Sequence, residues 1–241
     1  MEYFETITSD TNLEQNTGSN LVLPPHFEVM SARIISKCTF SQNLIQQIIY
    51  TSHGPEIVEA KKKLKEFPNP KARFDFLCEF PYHDDDPVVV RVFDFARSIF
   101  RNLYAFRNIL AHEVWSSSDQ YPGAILFSSL DENSRLLMAQ GRLWHDGATT
   151  PQEIYDAAVR FIRKVKVVTT DKLEMAISDA DICAWSLMNI HNILNTECAT
   201  SKEDARNALL KFKGTSHLFE QNGSLPEVIQ FQSSKEKNIK N

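Results

Sequence analysis

The sequence predicts a mostly helical fold, on three observations. Glycine is scarce, with 7 residues against 16 phenylalanines in 241, which suits helices packed around aromatic rings better than a glycine-rich β protein. Apolar residues recur at steps of three and four over long stretches. Proline, glycine and capping residues then mark where those stretches begin and end.

Taken in order, residues 1–25 are polar and close on Leu23-Pro24-Pro25, which predicts a flexible N-terminal arm. Ile34, Ile35, Cys38, Ile45, Ile48 and Ile49 share helical spacing and predict a helix over 28–51. His53-Gly54-Pro55 breaks it. A short charged helix follows over 56–66, stopped by Phe67-Pro68. Asn69 reads as an N-cap with Pro70 in the first turn, opening a helix over 70–80. Asp84-Asp85-Asp86 ahead of Pro87 is the strongest start signal, because carboxylates favour the positive end of the helix dipole. Neither proline nor glycine recurs before Val114, so one long helix spans 87–114.

The texture then changes. Tyr121-Pro122-Gly123 is a turn, and residues 124–130 and 135–143 flank Asp131-Glu132-Asn133-Ser134, which reads as one inserted β-hairpin over 124–143. Thr150-Pro151-Gln152-Glu153 is a capping box opening a helix over 151–170. Further helices are predicted over 179–196 and, capped by Ser201 with Asp204, over 202–213. Residues 214–241 read as a charged tail. Residues 26–213 are thus expected to form a single domain.

Composition narrows the function. No run approaches ~18 apolar residues, so no membrane span is expected, and the acidic start with Glu2 and Glu5 lacks the pattern of a secretion signal. Cys38, Cys78, Cys183 and Cys198 stand far apart, which reads as buried free thiols in a reducing, cytoplasmic setting. No thiol or histidine cluster has ligand spacing and no glycine-rich phosphate loop exists, so neither metal nor cofactor is expected. A net charge of −5 excludes a general DNA-coating protein and requires any nucleic-acid contact to come from a local cationic cluster or from two chains pooling theirs.

Several constellations dissolve on inspection. His112-Glu113 lacks the second histidine of a zinc protease, since position 116 is Ser. His83 with the three aspartates is explained as a helix cap, and His145-Asp146-Gly147 as a turn. Lys61-Lys62-Lys63 reads as a solvated helix face, with steering of RNA as the alternative. Trp185, Met188 and Ile190 read as core or dimer contacts, with His191 beside them on the helix surface.

The 87–114 helix is different. Val92, Phe95, Ile99, Leu103, Phe106 and Leu110 form an apolar stripe, widened by Phe93, Phe100 and Ile109, as expected of a central helix. A second stripe follows at steps of three or four: Asp94, Arg97, Arg101, Tyr104, Asn108 and His112. Arg107 lies about 140° around the helix from His112. Three arrangements would bring the two together: a wrapped Arg side chain, a loosened helix end, or a partner from a second chain.

The run Arg107-Asn108-Ile109-Leu110-Ala111-His112, near the end of a long aromatic helix and followed by Trp115, resembles the Arg-polar-x-x-x-His motif of the HEPN superfamily. The resemblance covers roughly residues 28–170. It implies an HEPN-like helical bundle and metal-independent endoribonuclease activity at a homodimer interface, in a prokaryotic toxin or defence setting with an antitoxin or regulatory partner. His112 would then act as general base or acid on the ribose 2′-hydroxyl, Arg107 would hold the scissile phosphate, and Asn108 would orient one of them. Arg97, Arg101 and Tyr104 are added here as RNA-backbone contacts because they share the face; the motif does not supply them. Two alternatives stand beside this: a non-catalytic module binding RNA, nucleotide or a protein partner, and a structural oligomerisation domain built on the Trp185 helix.

Overall fold

The computed structural model describes residues 2–7, 25–52, 57–80, 82, 84–118, 121–146 and 150–220. Three long helices form its centre: α1 (Pro25–Ser52), α4 (Pro87–His112) and α7 (Thr170–Asn195). Each packs on the other two. The short helices α2 (Ile57–Glu66) and α3 (Pro70–Glu79) flank this trio, and α8 (Ala199–Lys211) leans on α7 and α4. Phe27, Ile34, Ile45, Ile48, Phe93, Phe100, Leu103 and Phe106 are fully buried between them. Among the described residues, no helix is long and apolar enough to cross a membrane.

A four-stranded antiparallel sheet lies against the bundle in the order β1-β4-β3-β2: Glu5–Thr6, Lys166–Thr169, Ala124–Ser128 and Val114–Ser116. Strand β3 is covered on both faces. Ile125 and Phe127 join the main core, while Leu126 meets Ile7, Val165 and Val167 in a smaller core on the far side, as the two-residue period of a strand requires. Helix α6 (Pro151–Ile162) closes that far side through Phe161 and Ile162, and α5 (Leu130–Asp146) packs on α6.

The predicted caps form where the sequence put them. Asn69 accepts from the Ala72 amide at 2.8 Å and Asp86 from Val88 at 2.9 Å, and Thr150 with Glu153 completes a reciprocal capping box. Asp86 also takes the Arg206 Nε at 2.7 Å, which ties α8 to the start of α4.

Six expectations are corrected. The inserted hairpin over 124–143 does not form: 124–128 is a strand, but its neighbours are β2 and β4, and 135–143 belongs to α5. Ser129 caps that helix, its hydroxyl accepting from the Glu132 amide at 3.2 Å, so Ser129-Leu130-Asp131-Glu132 is a helix start rather than a strand followed by a loop. The predicted 151–170 helix stops at Ile162, because Lys166–Thr169, with the β-branched Val167, Val168 and Thr169, pairs with β3 instead. Helix α7 begins at Thr170 rather than 179, capped by Thr169, and α8 begins at Ala199 after Cys198, with no cap from Ser201. Residues 2–7 of the expected arm lie on the bundle, with Glu5–Thr6 as β1. Tyr3 is 2% exposed there and donates to Asp179 at 2.7 Å, while 8–24 lie outside the described residues. Within the expected tail, Thr215 and Phe219 are buried and His217–Glu220 is helical (α9); 221–241 lie outside the described residues.

Smaller points follow. Cys198 is exposed, whereas Cys38, Cys78 and Cys183 are buried. His145 and Asp146 end α5 instead of forming a turn, and Gly147 lies outside the described residues, as does His83. The buried face of α4 is centred on Phe93, Ala96 and Phe100, with Phe95 and Ile99 half-buried at its edge. Trp185 packs its ring on Phe212 at 4.0 Å, a contact within the chain.

Candidate active site

The C-terminal half of α4 forms one wall of an open cleft of about 1060 Å³. Arg101, Tyr104, Ala105, Asn108 and His112 line it at helical spacing, with Arg107 and Ile109 beside them. The facing wall is α3, through Pro70, Lys71, Phe74 and Asp75. Glu113, Ser129 and Leu130 close the end.

The wall's geometry is fixed below it. Tyr104 stacks on Phe74, centroids 4.1 Å apart at 18°, and both rings lean on buried Phe100. Trp115 donates its indole N–H to the Leu110 carbonyl at 3.2 Å and sets its ring edge on Phe127. The tryptophan after the motif therefore pins the end of α4 to the sheet. Next to His112, Glu113 takes Lys166 of β4 through Oε1, and its Oε2 is buried without a hydrogen-bond partner.

Arg107 and His112 do meet. The guanidinium Nη1 lies 3.4 Å from His112 Nε2 and 3.0 Å from Asn108 Oδ1. Of the three arrangements left open by the helical angle, the wrapped side chain is the one observed, on an unbroken helix. A guanidinium only donates, so this hydrogen bond requires the lone pair on Nε2 and the proton on Nδ1. Both contacts use Nη1. The Nε and Nη2 edge keeps no partner among the described residues, and that edge is the fork that grips a phosphate or carboxylate.

Two thiols underlie the same cations. Burial pushes the Cys38 thiol of α1 up to about 12, against the opposing pull of the Arg107 charge. Burial also raises Cys78 of α3, partly offset by a hydrogen bond from Arg101. Arg101 reaches Glu79 at 3.9 Å and is otherwise exposed.

Arg97 stands apart from the other predicted RNA contacts. It donates to the Phe80 carbonyl and, at 2.5 Å, to Asp94, with its side chain only 11% exposed. It closes the C-terminal end of α3, over the Phe93 ring, and does not line the cleft. The expected backbone contacts on this face therefore reduce to Arg101 and Tyr104. Sequence reading missed Lys71, Phe74 and Asp75, although the Asn69-Pro70 cap had already placed them on a helix. Which face of that helix met α4 was not legible from spacing alone.

No protein-family model matches the chain, and neither does any curated protein or solved structure. The cleft's own chemistry and the motif resemblance carry the functional reading.

Proposed function

We propose that this chain is a metal-independent endoribonuclease of HEPN type. The observation that carries the reading is Arg107 within hydrogen-bond distance of His112 in an open cleft, with no partner on its Nε and Nη2 edge among the described residues. RNA supplies its own nucleophile, so the protein needs a base, a phosphate clamp and a way to return a proton.

In this reading His112 Nε2 exchanges its hydrogen bond from Arg107 Nη1 for one from the ribose 2′-hydroxyl, and takes that proton as the 2′ oxygen attacks phosphorus. The bond from phosphorus to the 5′ oxygen breaks, and that oxygen takes a proton. The products are a 2′,3′-cyclic phosphate and a 5′-hydroxyl. Arg107 meets the charge that develops on the non-bridging oxygens through Nε and Nη2, with Asn108 holding Nη1 in place. Arg101 and Lys71 attract the flanking phosphates. One His112 cannot both accept and donate within a single step, so a second copy facing the cleft across a two-fold axis would supply the other imidazole. On the same resemblance, the proposed setting is a prokaryotic toxin or defence effector in the cytoplasm, held by an antitoxin or regulatory protein.

The test is cleavage of a labelled RNA by purified variants. His112→Ala and Arg107→Ala should each lower the rate about 100- to 10,000-fold. Arg107→Lys should fail as well, because lysine keeps the charge but loses the planar fork. Wild-type cleavage should persist in EDTA and leave cyclic phosphate ends. A His112→Ala protein with native circular dichroism that still cuts at the wild-type rate would overturn the assignment and return the cleft to a binding role.

A further inference from the structure

The two walls of the cleft differ in chemistry. The α4 wall is cationic, carrying Arg101, Arg107 and His112, whereas α3 places Asp75 in the same space. Asp75 is half-buried and has no hydrogen bond or ion pair among the described residues, not even with Lys71 one turn before it. A carboxylate only accepts, and it repels the phosphate that the opposite wall attracts. Whatever fills this side of the cleft must therefore be uncharged or cationic and must donate.

Next to Asp75 stands the stacked pair Phe74 and Tyr104. An aromatic wall beside an unused acceptor, in the same cleft as a phosphate clamp, has the layout of a nucleobase subsite. Unstacked RNA bases are held by aromatic side chains and read along their hydrogen-bonding edges. The cleft volume lies at the upper end for small-ligand pockets, which leaves room for a base beside its phosphate.

The acceptor then selects the base. Guanine presents two adjacent donors, N1–H and the N2 amino group, which match the two oxygens of one carboxylate. Adenine and cytosine offer one amino donor beside an acceptor that Asp75 would repel, and uracil offers one imino donor between two acceptors. We propose that Asp75, against the Phe74–Tyr104 wall, makes the cleft selective for guanine. This rests on the ribonuclease reading but is separable from it.

The experiment is calorimetric titration of the wild-type chain and of Asp75→Asn with 3′-GMP, 3′-IMP, 3′-AMP, 3′-CMP and 3′-UMP, none of which the reaction consumes. For wild type, 3′-GMP should bind about tenfold tighter than the adenine, cytosine and uracil nucleotides. 3′-IMP, which keeps N1–H but lacks the amino group, should fall between. In Asp75→Asn the order should flatten while phosphate-dependent binding survives. Equal binding of the nucleotides by wild type would overturn the guanine assignment and leave the cleavage reading standing. Uniform weakening in Asp75→Asn would overturn it too, assigning Asp75 to a ribose hydroxyl. Absence of binding by every nucleotide would remove the subsite altogether, whatever the cleavage assay shows.

Discussion

Helices α4 and α6 begin in the same way, with an oxygen-bearing cap followed by proline, and finish in opposite environments. Asp86 caps α4 and Thr150 caps α6. Yet α4 buries ten side chains, while α6 buries none completely. Its partner α5 leaves Leu130, Leu137 and Met138 between 60% and 64% exposed. Local signals decide where a helix starts, whereas burial decides how much the fold depends on it. The cleft draws on both regions: its chemistry hangs from α4, and its far end is closed by Ser129 and Leu130 at the start of α5.

That contrast can be broken by measurement. The largest effect is expected at Phe100, which is fully buried and supports both Phe74 and Tyr104. Phe100→Ala should cost about 3–5 kcal/mol in denaturant unfolding. A loss below about 1 kcal/mol would mean that the α4 core is far looser than its burial implies. An intermediate effect is expected at the α6 cap, where Thr150→Ala removes one half of the capping box. It should cost about 1 kcal/mol, with faster amide exchange confined to α6 and its neighbour α5. Exchange accelerated in α4 as well would erase the distinction between the two regions. The smallest effect is expected at Leu137, whose side chain faces solvent. Leu137→Ser should move unfolding by no more than about 0.5 kcal/mol. A larger loss would show that this face is covered in solution.

Much of the architecture was legible where one residue acts on its near neighbours. The Asn69, Asp86 and Thr150 caps, and the starts of α3, α4 and α6 that depend on them, follow from side chains bonding amides two or three residues away. Reading failed where local signals competed. The residues 135–143 suited either a strand or a helix, and Ser129 with Glu132 should have decided for the helix. At 166–169 the β-branched residues were absorbed into a helix because the caps upstream were so strong, and only the pairing with β3 resolves them.

The sequence by itself determined that a long aromatic helix carries Arg107, Asn108 and His112 near its end, because a helical period and a motif are both properties of consecutive residues. It also set the polar stripe of α4, since residues three and four apart share a face in any helix. Only the tertiary structure decided which members of that stripe share a cleft. Arg97 is turned to the end of α3 by the Phe80 carbonyl, Arg107 wraps around the helix to reach His112, and Asp75 arrives from 26 or more residues away. These placements depend on how α3, α4 and the sheet pack. That packing is set by buried volume and by the few polar partners each side chain finds there, which no local pattern encodes.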